Sequence, residues 1–371
     1  MKKRIVLLNS CKGLYGGIES FLLNVFRGLD KNIFEVIFLT CGVSTYEMYR
    51  HEIETLGGKI FCIDTYPSNI KTELIVYQEL KKFFSEYNPD VVHINSSALS
   101  FQILSSLAAK NAGVKNIILH SHNFVPNINY IKKQCRNILK PILTKTGTQF
   151  LACSKGAAEW MFETKIKAEV EVVPNGINTE EFRYHDNKRI TFRKKIGISE
   201  ETKVLGNIGR FQPQKNHYFL IDVFDEYQKK IKDSVLLLIG EGELKADIIE
   251  YAQQKGISRK ILFLGERNDV GEFFSAIDVF VLPSLFEGFP ISAIEAQASG
   301  VPCLLSDTIT KEINITKDVK FISISSTDKW VVELLNIKSN KNRGINADYI
   351  LSHGYDKSES GKIMSRIYLE K

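Results

Sequence analysis

Short apolar runs alternate with helix-period segments along almost the whole chain, and this alternation constrains the fold most. Ile5 to Asn9, Glu35 to Thr40, Lys59 to Ile63, Val91 to Ile94, Asn116 to His120, Gln149 to Ala152 and Val170 to Val173 read as strands. Between them Ile18 to Leu29, Tyr46 to Leu56, Lys71 to Tyr87, Ala98 to Ala112, Tyr130 to Thr146 and Lys155 to Phe162 carry the helical period. Repeated β-α-β order implies a parallel, doubly wound sheet. The pattern then repeats with strands at Val204 to Gly209, Val235 to Ile239, Ile261 to Leu264, Val279 to Leu282, Cys303 to Leu305 and Lys320 to Ile324. At 371 residues the chain exceeds one core, so the expectation is α/β, with two Rossmann-like domains in tandem.

The turn signals of Pro174-Asn175-Gly176-Ile177-Asn178 set the expected boundary. The domains are then residues 1–174 and 175–350, with residues 351–371 as a closing helix that packs back on the first domain. Thr179 to Ser199 is polar and weakly patterned and reads as a connector. In open α/β sheets ligands bind outside the strand C-termini. Two such domains facing each other define a cleft.

Candidate chemistry clusters at strand exits. Phe286 to Gly300 follows the apolar run Val279 to Pro283; Pro290 stands at the first position of a helix and Gly300 just past its end. Such a helix start offers N–H groups to an anion. Glu287 lies before that helix and Glu295 within it, either as site carboxylates or as a loop residue and a surface position. Asn207 to His217 presents Arg210 and Lys215 together at a helix start, the combination suited to a diphosphate. Gly240-Glu241-Gly242-Glu243 and Gly265-Glu266-Arg267-Asn268-Asp269 occupy the next two exits and could frame a base or ribose.

In the first half, Lys12 to Glu19 is a glycine-rich turn around Gly16 and Gly17 whose spacing is not the dinucleotide fingerprint. A tight strand-to-helix turn would use the same glycines. His120-Ser121-His122-Asn123 ends the fifth strand, with both histidines on one face. A zinc pair there lacks a third ligand. The preferred reading is one histidine as a hydrogen-bonding site group and the other as structural, with His93 packed or contributing.

Charge and cysteine usage narrow the setting. Residues 1–170 carry 21 Lys and Arg against 14 Asp and Glu, an excess of +7; the rest of the chain, 28 against 29, is at −1. The excess peaks between Lys115 and Lys167 and includes Lys132, Lys133, Arg136 and Lys140. It reads as a solvated face or as a patch for anionic lipid headgroups. No interleaved aromatic-basic motif points to nucleic acid. The basic start followed by Ile5 to Leu8 is too short for a signal peptide, and the six cysteines lack metal spacing. Reduced thiols in a cytoplasmic protein are expected, at the inner face of the plasma membrane if the basic patch docks there.

These residues together resemble the family 4 glycosyltransferases of the two-Rossmann GT-B architecture. The likeness spans Gly16-Gly17, His120 to Asn123, Val173 to Ile177, Gly209-Arg210, Lys215 to His217, and the E-x7-E pair Glu287 and Glu295. Within the family it is most similar to bacterial capsular and exopolysaccharide enzymes. The resemblance implies retaining hexosyl transfer from a nucleotide sugar, UDP-linked by family habit, to a hydroxyl of a lipid-linked glycan, with an N-terminal acceptor domain and a C-terminal donor domain. Arg210 and Lys215 would hold the diphosphate and Glu287 the sugar hydroxyls. The N–H groups of Gly288, Phe289 and Ile291 would face sugar and phosphate, and Glu295 the ribose. Gly16 and Gly17 would close over the phosphates. His122 would contact the donor sugar near the reacting carbon, and Arg267 would help bind the donor. His120, Asn123, Gly240 and Glu241 are further candidates. No D-x-D motif occurs, so neither metal nor cofactor is expected. A GT-B-fold epimerase or a silent nucleotide-sugar-binding protein are the alternatives.

Overall fold

The computed structural model describes residues 2–12, 16–44, 46–124, 128–163, 166, 169–337 and 343–370. It divides into two compact units, Met1–Gly176 with Lys357–Lys371, and Ile177–Asp356. The first contains strands β1 (Lys3–Lys12), β2 (Phe34–Val43), β3 (Lys59–Ile63), β4 (Val91–Asn95), β5 (Asn116–Ser121), β6 (Gln149–Ala152) and β7 (Glu171–Val172). They form one parallel sheet in the order β3-β2-β1-β4-β5-β6-β7. The second contains β8 (Lys203–Ile208), β9 (Ser234–Ile239), β10 (Ile261–Phe263), β11 (Val279–Leu282), β12 (Cys303–Ser306) and β13 (Val319–Ile322). Its parallel order is β10-β9-β8-β11-β12-β13. Each order reverses beside the unit's first strand, the switch point at which such sheets bind ligands.

The strand sequences follow from burial on both faces. Ile5, Val6, Leu7 and Leu8 of β1 are all fully buried, so no polar alternation survives there. β3 lies at the sheet edge and exposes Lys59, Phe61 and Cys62. Val6, Leu39, Ile94 and Leu119 pack with Leu80, Phe84 and Leu143 in the first core; Leu205, Leu238, Val281 and Leu304 pack with Phe224 and Trp330 in the second. Burying each such side chain stabilises by about 1.5 to 3 kcal/mol.

Three segments differ from expectation. Thr179 to Ser199 is no connector: it forms helices Thr179–Phe182 and Asp186–Lys195 on the second unit. Its polarity hid Arg193, a fully buried side chain. Arg193 donates from Nε to the Ala276 carbonyl at 2.9 Å, from Nη1 to those of Ser199 and Thr202, and from Nη2 to Asp278. Tyr46 to Leu56 splits into a 3₁₀ turn, Glu47–Tyr49, and a helix, Arg50–Thr55. Pro290 caps its helix rather than starting it; the helix runs Ile291–Ala298, and Gly300 beyond it has φ +63°.

The helix Lys357–Leu369 belongs to the first unit and crosses the helix Gly17–Gly28 with two glycines in contact. A Cβ on Gly361 would sit 2.6 Å from Gly28 Cα, and one on Gly28 would sit 2.7 Å from the Lys357 carbonyl oxygen. Only backbone fits there.

Candidate functional site

In the second unit the exits of β8 and β11 are stitched together. β8 ends in a loop through Arg210, a 3₁₀ turn Pro213–Lys215 and the helix His217–Lys230, with Asn216 left-handed at φ 55° between them. Lys215 Nζ donates to Glu287 Oε1 at 2.6 Å, Ser284 Oγ donates to the same oxygen at 2.7 Å, and Gln214 Nε2 reaches Oε2 at 3.2 Å. Gln214 Nε2 also donates to the Phe286 carbonyl at 2.9 Å, and the Leu285 N–H donates to the Gln214 carbonyl at 2.8 Å. The buried Glu287 carboxylate is therefore held by three donors, as a carboxylate away from water requires. Lys215 keeps further donors for an anion.

The helix Ile291–Ala298 starts directly after this loop with no side-chain cap, so its first N–H groups have no side-chain partner. Gly288, Phe289 and Ile291 are buried, and the Phe289 ring stacks on Tyr355 at 5.8 Å between centroids. Gln297 pins the far end: Nε2 donates to the carbonyls of Ala293 and Ile313, and Oε1 accepts from Ile315 and Thr316. Glu295 is half-buried, and desolvation with the neighbouring Glu181 carboxylate pushes it up to about 8. Among the described residues no cation or hydrogen-bond donor meets the Glu295 carboxyl, and a ligand hydroxyl would supply one.

The remaining second-unit candidates have structural partners. Arg267 forms a two-pronged pair with Asp269 and lies 5.2 Å from the centre of the Phe192 ring, an arrangement that serves the fold. Glu241 pairs with Lys245. Gly240, at φ +135°, brings backbone against the Gly209 carbonyl, which a Cβ would meet at 2.2 Å. Arg210 is half-buried on the β8 exit loop, and its carbonyl accepts from the Gln212 N–H at 2.7 Å.

The first-unit candidates gather where β1, β4 and β5 end. His120 and His122 have ring centroids 4.0 Å apart, and Phe21 of the helix Gly17–Gly28 packs at 5.0 and 5.1 Å from them. His120 is fully buried; His122, one residue past β5, is half-buried. His122 Nε2 meets Asn95 Oδ1 at 2.9 Å, while Asn95 Nδ2 donates to the His93 carbonyl. The amide is thereby oriented: Oδ1 accepts, so His122 carries its proton on Nε2 and offers the Nδ1 lone pair. Burial pushes His122 down to about 3, so it is neutral near pH 7.

Gly16, extended at φ −159°, caps that helix without a side-chain bond. The helix's first turn already holds the buried carboxylate of Glu19, which accepts from Asn9 Nδ2 at 2.9 Å, so the start of this helix is occupied by the protein's own anion. The Gly13 to Tyr15 part of the turn lies outside the described residues, as do residues 125–127 of the loop after Asn123. Asn123 Oδ1 accepts from the Phe124 N–H. Asn95 and Ser284 escaped the sequence reading. Each lies two or three residues from a noted one, His93 or Glu287, and only the sheet order shows that β4 adjoins β5.

The basic stretch centres on the helix Tyr130–Thr146. Arg136 stacks 3.6 Å from the centre of the Trp160 ring and donates to its carbonyl, and Lys140 donates to the Glu159 carbonyl; these two cations hold helices together. Lys132 and Lys133 are exposed, beside Ile131 at 73% and Ile138 at 75% exposure. Lys165 and Lys167 lie outside the described residues. No described helix is long and apolar enough to cross a membrane, and no metal-binding group of His, Cys, Asp or Glu occurs among the described residues.

Residues 15–181 match the family model described as Glycosyltransferase Family 4, and residues 188–338 the one described as Glycosyl transferases group 1. The chain is 31% identical to the "Putative glycosyltransferase EpsF" of Bacillus subtilis over 304 residues, covering 81% of this chain and 78% of that protein. It is 29% identical over 344 residues to an Escherichia coli "UDP-Gal:alpha-D-GlcNAc-diphosphoundecaprenol alpha-1,3-galactosyltransferase", covering 88% and 86%. In fold it matches the Anabaena HepE protein solved with UDP-glucose, with a TM-score of 0.78 at 14% identity over 98% of both chains.

Proposed function

Because the chain belongs to glycosyltransferase family 4, with the GT-B pair of Rossmann-like domains, we propose that it transfers a hexosyl unit from a UDP-sugar, with retention, to a hydroxyl of a lipid-linked surface glycan. The observation that carries the reading is Glu287, held by Lys215, Ser284 and Gln214 directly before the uncapped helix that contains Glu295. The donor and acceptor in the name of the Escherichia coli relative, UDP-Gal and a diphosphoundecaprenol-linked GlcNAc, favour the same classes here.

In this reading Arg210, Lys215 and the N-terminal N–H groups of the helix Ile291–Ala298 stabilise the diphosphate and the charge that grows on it as the bond to C1 breaks. Glu287 accepts hydroxyls of the sugar, and Glu295 accepts those of the ribose. His122 accepts a sugar hydroxyl at Nδ1. The new C1–oxygen bond forms on the face the phosphate leaves, and the acceptor's proton passes to a phosphate oxygen. Protein cations replace a metal, so chelator leaves turnover intact. Lys132, Lys133, Ile131 and Ile138 dock the first unit on anionic lipid, at the inner face of the membrane.

The test is a thermal-shift screen of nucleotides followed by transfer to a lipid-diphosphate sugar. UDP is expected to raise the melting temperature more than GDP, and a UDP-hexose to yield product. No stabilisation by any nucleotide would overturn the reading. Replacing Lys132 and Lys133 by Gln, with Arg136 and Lys140 kept, should weaken binding to anionic vesicles; unchanged binding refutes the docking.

A further inference from the structure

Three histidines of the first unit, His93, His120 and His122, form a column whose far end is a tyrosine from the last helix. His93, on β4, lies parallel to His120 with ring centroids 5.3 Å apart and planes 10° apart; His120 in turn contacts His122. Tyr368 OH meets His93 Nδ1 at 2.7 Å, and His93 Nε2 meets His120 Nδ1 at 3.1 Å. Tyr368, His93 and His120 are each fully buried. His120 is further fixed through its backbone, since Gln102 Nε2 donates to its carbonyl and to that of Ser96, each at 2.8 Å.

Burial pushes His93 and His120 down, so each ring is neutral with a single proton. Two proton arrangements fit the distances. If Tyr368 donates to His93 Nδ1, then His93 donates from Nε2 to His120 Nδ1, and one atom is left over, the Nε2–H of His120. If the order runs the other way, both the Tyr368 hydroxyl proton and the His120 Nε2 lone pair lack partners among the described residues. Each unmet buried donor or acceptor costs about 1 to 3 kcal/mol, so the first order, with one such atom against two, wins. His120 Nε2 is a buried atom without a partner in either order, so the choice rests on the Tyr368 hydroxyl proton, which only the first order places.

We propose that Tyr368 and His93 are positioning residues of the transfer reaction: through His120 they fix the proton pattern and the seat of the ring on which His122 rests. The proposal builds on the reading of His122 as the donor-sugar contact. His122 itself is then clamped on two sides, by Asn95 at Nε2 and by the His120 ring, so its Nδ1 lone pair has one direction. An orienting chain matters for rate because a displacement of about 1 Å at a reacting group can cost on the order of a hundredfold. Tyr368 is 246 residues from His122 and touches it nowhere in this chain of contacts, so its effect must pass through the column.

The experiment compares Tyr368→Phe, which keeps the ring and removes only the hydroxyl, with His122→Ala and wild type. Steady-state transfer, UDP affinity by calorimetry and the nitrogen shifts of labelled histidines are read for each. Expected for Tyr368→Phe is a fall in kcat of about tenfold, unchanged UDP affinity, and a mixture of His93 proton positions where wild type shows Nε2–H alone. A kcat within twofold of wild type, while His122→Ala is inactive, overturns the proposal. Full activity of His122→Ala instead overturns the reading of His122, and the proposal with it. Should Tyr368→Phe fail to fold, the wild-type spectrum still decides: His93 protonated on Nδ1 refutes the chain.

Discussion

Replacing Gly361 by Ala tests the crossing that brings Tyr368 to the histidines. The added Cβ would lie 2.6 Å from Gly28 Cα and 2.7 Å from Gly28 C and O, three backbone atoms that no rotamer change can move. Restoring a tight but tolerated 3.4 Å needs the helices Gly17–Gly28 and Lys357–Leu369 to part by about 0.8 Å. Overpacking of this kind costs about 1 to 3 kcal/mol, and Ala repays up to about 1 kcal/mol of helix propensity. With the middle of each range, about 2 less about 0.5 kcal/mol, the net is a destabilisation of about 1.5 kcal/mol. For a unit of this size that lowers the melting temperature by about 2 to 8 °C. Gly156→Ala is the matched comparison, because its Cβ meets only the Phe124 ring at an ordinary 3.5 Å inside the helix Lys155–Met161. It should hold or raise the melting temperature. The assay is calorimetric melting of both variants; a Gly361→Ala protein as stable as wild type refutes the backbone-contact argument.

Glu295, raised to about 8 by burial and then by Glu181, should lose its proton when ribose hydroxyls donate to it, so UDP affinity should climb between pH 5 and 8 and calorimetry in two buffers should detect a released proton; pH-independent binding by wild type, or a Glu295→Gln variant with the same slope, refutes it. His93, His120 and His122 are all lowered by burial, so below pH 6.5 the unfolded chain takes up protons that the folded unit refuses. Stability should fall as pH drops from 6.5 toward 4, by up to about 1.4 kcal/mol per unit for each histidine, and a flat melting temperature across that range would contradict the buried column. Arg193→Met should destabilise the second unit by about 3 kcal/mol or more, since it strands the carbonyls of Ser199 and Thr202, leaves that of Ala276 to Arg189 alone and leaves Asp278 one cation short; chemical denaturation measures it, and a loss below about 1 kcal/mol counts against the role.

The central strands were legible because burial on both faces leaves nothing but apolar residues in a run such as Ile5 to Leu8. The same logic failed for Thr179 to Ser199, where the helix Asp186–Lys195 is anchored by a buried guanidinium rather than an apolar stripe, and periodicity is blind to that. Glu287 and Lys215 were each legible as a candidate at its own strand exit, but not as a pair, and the structure joins them at 2.6 Å. Arg267 is a weaker signal in sequence, and in the structure it pairs with Asp269 two residues later. The histidine column was half legible. His120 and His122 share a face by strand alternation, whereas Tyr368 enters from the far end of the chain, which no local pattern can announce.

The placement of the helix Lys357–Leu369 in the first unit also has a consequence for how the protein is made. Synthesis proceeds from the first residue, so residues 177–356, a complete second unit of 180 residues, emerge before the helix that the first unit lacks. At about 5 to 20 residues per second that interval is roughly 9 to 36 s. For that time the groove along the helix Gly17–Gly28 stands open, and His93 Nδ1 faces it without its tyrosine. The first unit to begin folding is therefore the last to finish, and its closing helix acts as a bolt that can slide home only after its neighbour has been built.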